Sequence, residues 1–145
     1  MKKVKRYIIL GLIYITLFTL GFYVLESLES KKVYPFEHVQ VGMYSSIKIG
    51  FIFFLLVYLP MTIITDFLPK RRLDKVLLSV TKVLLFSVVG VIIGNFIFSI
   101  VYPEWVVLDL VGVVLNRETS LFIFGLIGFI YSLGNFIKFK ERVIH

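Results

Sequence analysis

The chain has 145 residues, of which 59% are hydrophobic, and a mean hydropathy of +0.95, more apolar character than a soluble domain of that size can bury. Its net charge of +7 and pI near 9.7 would fit a nucleic-acid binder, but membrane proteins also collect Lys and Arg on cytoplasmic loops, so the expected partner is the lipid bilayer, with no nucleic acid. Cysteine is absent, which excludes disulfides, thiol catalysis and cysteine metal sites. Alanine is absent as well, while Ile, Phe, Tyr, Lys and Leu abound, a composition expected of an AT-rich bacterial genome.

In chain order, "YIILGLIYITLFTLGFYVL", Tyr7 to Leu25, is nineteen residues without a charge. As a helix it covers about 28 Å, a full crossing of the hydrocarbon. The basic start "MKKVKR" would suit a signal peptide, but "ESLES" stands where small cleavage-site residues belong, so an uncleaved first helix is expected. The first loop, 26–46, holds Glu26, Glu29, Glu37 and His38; one histidine with scattered acids falls short of a metal ligand set and reads as a solvated loop.

The second predicted span, 47–66, contains "IGFIFFLLVYLPMTIIT" with Lys48 snorkelling at one edge. Pro60 should free the carbonyl of Leu56 and kink this helix, with Thr62 and Thr65 able to re-satisfy backbone nearby. The loop 67–82 carries Lys70, Arg71 and Arg72, read as a topology anchor or a site for lipid headgroups. Its second half, Leu73 to Lys82, is amphipathic as a helix and is expected to lie along the membrane before the third span.

The third span, 83–102, and the fourth, 120–137, carry stripes of small residues. Ser87, Gly90 and Gly94 share one face of the third, and Gly125, Gly128, Ser132 and Asn135 share one face of the fourth. Small residues let helix backbones approach closely where the hydrophobic drive is missing, so these stripes should face each other or a second copy. Asn95 is the strongly polar side chain well inside a span and should bond to another helix. The outer loop 103–119 contains "WVVLDLVGVVL", too short to cross; it is expected as an interfacial cover, with a re-entrant piece as the alternative, and its Trp105 joins Tyr102, Tyr34 and Phe36 in an aromatic belt. Two short repeats, "VYP" at 33–35 and 101–103 and "GNFI" at 94–97 and 134–137, imply opposite symmetries and do not add up to a duplicated unit.

Lys and Arg number four before the first span, five in the loop 67–82 and three in the tail, against three on the side of the first loop (Lys31, Lys32 and Lys48 at the span edge) and one in the third loop. This bias of twelve to four places both termini in the cytoplasm. The predicted fold is therefore an all-α integral membrane protein with four transmembrane helices in the cell membrane.

No ionisable residue lies at mid-membrane depth in these spans, and no phosphate loop, H-E-x-x-H pattern or nucleophile elbow occurs. Catalytic, cofactor and metal sites are thus not expected. The run "LPMTIITD", with four spans and basic inner loops, resembles a group of small uncharacterised multi-spanning membrane proteins of Bacillus and its relatives. The chain is similar in size to dual-topology fluoride channels but lacks their Thr-Thr-Phe-Ser-Thr-type filter, and the charge bias opposes dual insertion. The functional expectation is a non-enzymatic protein that binds a membrane-protein or peptide partner, including an immunity-type role; a homo-oligomer is allowed. The alternative is a small transporter or pore subunit, motivated by Asn95 and Pro60.

Overall fold

A computed structural model of the chain describes residues 2–30, 32, 43–67, 75–102 and 115–136. Among these it is all-helical, and four of its helices are long and apolar enough to cross a membrane: Lys3–Glu29, Met43–Phe67, Val76–Val101 and Arg117–Phe136. This is the architecture of a multi-pass membrane protein. Helices are the physical solution for such segments because every backbone N–H and C=O is paired within the segment itself, which lipid cannot do for it.

Helix α1 (Lys2–Leu25) continues through a π-helical turn at Glu26–Ser30. The second span consists of α2 (Met43–Phe53), a π-helical turn (Phe54–Tyr58) and α3 (Leu59–Phe67). The third is α4 (Lys75–Val101) and the fourth α5 (Arg117–Phe136). Two predicted boundaries change. The first helix runs on past the expected loop start at residue 26. The stretch 75–82, expected to lie along the membrane, instead forms the first turns of α4, because nothing interrupts the helix at Val83. The cluster Lys70, Arg71 and Arg72 and the outer segment 103–114 lie outside the described residues, as do Tyr34, Phe36, Glu37, His38 and His145.

Pro60 carries no N–H, so the helix cannot make the ordinary bond to the carbonyl of Leu56. The chain widens one turn earlier: the N–H of Leu59 bonds to the carbonyl of Phe54, five residues back, which is the π-helical pattern. Thr62 Oγ1 then donates to the carbonyl of Tyr58 at 2.7 Å. The irregular turn is thus satisfied locally rather than left open to lipid.

The tightest pairing is antiparallel, between α4 and α5. Gly90 and Gly94 lie directly under the backbone of α5. A Cβ on Gly90 would overlap the carbonyl oxygen of Phe124, and one on Gly94 would lie 2.6 Å from that of Ser120. Gly128 of α5 answers in kind, its absent Cβ making room for the carbonyl oxygen of Phe86, while Gly125 faces Val91. Ser120 Oγ donates to the carbonyl of Gly94 at 2.7 Å, a buried hydrogen bond across the same seam. Ser87 and Ser132 turn back on their own helices, donating to the carbonyls of Val83 and Phe129. Both small-residue stripes are therefore occupied within one chain. Helix α1 packs against α5 and α2, with Gly11 and Gly50 admitting the rings of Phe54 and Phe18 respectively.

The core is aromatic, and every span contributes to it. Tyr14 of α1, Tyr58 of the second span, Phe86 of α4 and Tyr131 of α5 form one cluster: ring centroids are 4.2 Å apart for Tyr14–Tyr58, 4.9 Å for Tyr58–Tyr131, 5.3 Å for Phe86–Tyr131 and 5.7 Å for Tyr58–Phe86. Tyr58 and Tyr131 meet edge to face, which aligns the positive ring edge with the negative face. Phe18 and Phe124 extend the cluster at 5.2 Å.

Gly90→Ala is expected to lower stability by roughly 1–3 kcal/mol, because a backbone carbonyl cannot move aside as a side chain can. Gly134→Ala, with nothing within 4 Å of the added carbon, should be neutral or stabilising through helix propensity alone. Paired melting curves in one detergent measure the contrast, and equal destabilisation by the two would show that the α4–α5 seam does not limit stability.

Candidate functional site

The polar groups concentrate at the two ends of the bundle, one end holding a charged junction and the other a buried carboxylate. At the first end, Arg6 near the start of α1 reaches two other spans. Its Nη1 bonds to Asp66 Oδ2 at 2.8 Å, near the end of α3. Its Nη2 bonds to the backbone carbonyl of Asn135 at 3.1 Å and to Asn135 Oδ1, near the end of α5. Lys82 of α4 places its ammonium 3.5 Å from Asp66 Oδ1, and the Tyr7 hydroxyl donates to Asp66 Oδ2 at 3.3 Å. One carboxylate and one guanidinium thus tie together all four spans.

These side chains are partly shielded: 29% exposed for Arg6, 21% for Asp66 and 14% for Lys82. The local dielectric is therefore lower than in water and the pairing stronger than between surface charges. The guanidinium suits the position because it offers several donors in a fixed fork and stays charged.

At the opposite end, Glu29 lies in the π-helical turn that prolongs α1. It was expected in a solvated loop, but it is only 2% exposed. The helical extension carries it over the N-terminus of α5. There its Oε2 accepts the backbone N–H of Asn116 at 3.0 Å and its Oε1 accepts the Thr119 hydroxyl at 3.0 Å. Lys32 Nζ donates to both oxygens, at 3.1 and 3.0 Å. A carboxylate here accepts the Asn116 N–H and complements the positive end of the helix dipole. Glu26 beside it is 9% exposed. No group of three or more potential metal ligands occurs among the described residues, and Glu29 caps the start of α5 through the contacts above.

Between the ends, the hydroxyls are satisfied locally. Because Thr62 Oγ1 donates to the carbonyl of Tyr58, the Tyr131 hydroxyl, 2.9 Å away, is the donor in the bond between the two. Thr65 bonds to the carbonyl of Thr62, and Thr16 and Thr19 bond to carbonyls four residues back in α1.

The remaining sequence candidates fall as follows. Asn95 is on an exposed face of α4, and its Oδ1 accepts from Arg117 Nη1 at 3.1 Å; the Arg117 guanidinium also lies 5.4 Å from the ring centroid of Phe98. It does contact the neighbouring helix, but from the outside and near the start of α5 rather than from the core. Pro60 follows the π-helical turn, one residue past Leu59, and is on an exposed face of the second span. Arg6, Asp66 and Lys82 are 60 and 16 residues apart along the chain, a separation with no local signal. The clue available was one acid at a span edge with two basic residues at other span edges. No family model, curated protein or solved structure matches the chain.

Glu29→Gln should lower stability by roughly 1.5–3 kcal/mol through loss of charge-assisted hydrogen bonds to Asn116, Thr119 and Lys32. Melting in detergent reads it, and a change below about 0.5 kcal/mol would mean that the α5 start is held by other contacts.

Proposed function

We propose that this chain is a non-enzymatic protein of the cell membrane that acts by recognising a second membrane component, a membrane protein or a peptide, as an immunity-type protein does. The observation that carries the reading is the filled middle of the bundle. Tyr14, Phe18, Tyr58, Phe86, Phe124 and Tyr131 are each at most 1% exposed and in ring contact, at the level where a transporter would keep a polar path. Charged groups sit only towards the ends of the described spans, where they can support recognition at the membrane surface but not conduction through the core. The resemblance to small four-span proteins of Bacillus and its relatives belongs to the same proposal.

In this reading both termini are cytoplasmic, and Lys70, Arg71 and Arg72 anchor the loop between the second and third spans on that side. The absence of cysteine gives a clean background for testing it. A single cysteine at Lys5 or Lys140 should resist a membrane-impermeant maleimide in intact cells, and one at Glu37 should react; the reverse pattern inverts the topology.

For the partner, a tagged copy at native expression level, extracted in mild detergent and analysed by mass spectrometry, should bring down one near-stoichiometric protein or peptide. In parallel, vesicles reconstituted with the purified chain should stay tight to ions and small solutes. Specific flux, with no co-purifying partner, would replace the binding reading with transport.

A further inference from the structure

At the charged end of the bundle one group is left over. Asn135 is 8% exposed, and its Oδ1 is taken by Arg6, which fixes the orientation of the amide. Its Nδ2 is buried and has no hydrogen-bond partner among the described residues. A buried N–H donor without an acceptor is rare in folded proteins because its desolvation is uncompensated. The missing partner must be an acceptor, since the amide nitrogen can only donate.

The charges around it name the kind of acceptor. Arg6 and Lys82 bring two positive charges against the single carboxylate of Asp66, so the junction is left with one net positive charge. Asp66 accepts from Arg6 and from Tyr7 and is engaged on both oxygens. The Lys82 ammonium has three donors, and Asp66 is its one ion-pair partner among the described residues. Spare donors therefore remain on Lys82 and on Asn135, bridged by Arg6, which holds Asp66 with one nitrogen and Asn135 with the other. The complement is an oxyanion with several acceptor oxygens.

The neighbouring surface argues for where that oxyanion comes from. Phe67, which follows Asp66 in the second span, is 74% exposed, with Lys3 Nζ 5.7 Å from its ring centroid. A free anion has no use for such a surface, whereas the acyl chains of a phospholipid do. We propose that Lys82 and Asn135, backed by Arg6, bind the phosphate oxygens of an anionic phospholipid headgroup in the leaflet that faces this end of the bundle. The site is separate from the basic loop at Lys70, Arg71 and Arg72. It is also independent of the partner-binding reading above, since it concerns lipid alone.

The test uses the full chain, purified in a neutral detergent and delipidated, with phosphatidylglycerol, phosphatidylcholine and inorganic phosphate as probes. Native mass spectrometry counts retained lipid, and melting temperature reports stabilisation. Phosphatidylglycerol is expected to bind and raise the melting temperature, with phosphatidylcholine clearly weaker and inorganic phosphate without comparable effect. Lys82→Gln should weaken phosphatidylglycerol about fivefold, the loss of one basic contact to an anionic lipid. Asn135→Asp keeps an acceptor for Arg6 but turns the free N–H into a second acceptor oxygen, and should abolish the preference for the anionic lipid. Lys82→Gln leaves the Arg6–Asn135 contact untouched and decides the matter if the Asp variant does not fold. Replacing Lys70, Arg71 and Arg72 together with Gln should leave the preference in place. Equal binding of the two lipids, equal stabilisation by inorganic phosphate, or a preference that survives Lys82→Gln but vanishes in the loop variant would each overturn the assignment.

Discussion

The close approach of α4 and α5 is the constraint on which the rest of the structure depends. In lipid no hydrophobic force drives two helices together, so they stay paired only if their backbones come near enough for dispersion and short polar contacts to accumulate. Gly90, Gly94 and Gly128 make that approach possible by removing side chains where carbonyls of the other helix pass. The same contact sets the antiparallel register: Gly94 lies opposite Ser120, Gly90 opposite Phe124 and Phe86 opposite Gly128. Once this register is set, Phe86 and Tyr131 are 5.3 Å apart, and Tyr14 and Tyr58 close the cluster from the other two spans.

The resulting molecule separates its chemistry by depth. Aromatic rings fill the middle, and the threonine hydroxyls there are bonded to carbonyls of their own helix, with Thr62 also accepting from Tyr131. Charges are paired at the two ends, Arg6 with Asp66 and Lys82 at one and Lys32 with Glu29 at the other. Burying a charge at mid-depth without a partner would be far more expensive than placing it where headgroups and water are in reach. The proposed recognition role rests on this distribution. The two ends are not equivalent, because the donors to Glu29 match its oxygens whereas the Arg6 junction keeps donors to spare.

Spans were legible because a long uncharged run has one meaning in a chain so apolar, and the small-residue stripes were legible because helical periodicity places i, i+3 and i+7 on one face. Gly11 and Gly50 escaped notice since each stands alone, and only a neighbouring ring reveals its purpose. Glu29 looked like part of a solvated loop because its burial depends on a helix that continues past Leu25 and on the start of α5, 87 residues away from it in sequence at Asn116. Asn95 looked interior because its sequence position is central to an apolar run, but rotation of α4 around its axis, set by the glycines, turns it to an exposed face beside Arg117.

By itself, the sequence determined the solvent, the number of crossings and the faces on which close packing was available, because these follow from hydropathy, length and period along a single helix. Tertiary structure alone decided which charges meet, which carboxylate is buried and which amide has no partner among the described residues. The reason is physical: a hydrogen bond or ion pair depends on separations of about 3 Å, and groups such as Arg6, Asp66 and Asn135 acquire those separations only when four helices have settled their rotation and register against one another.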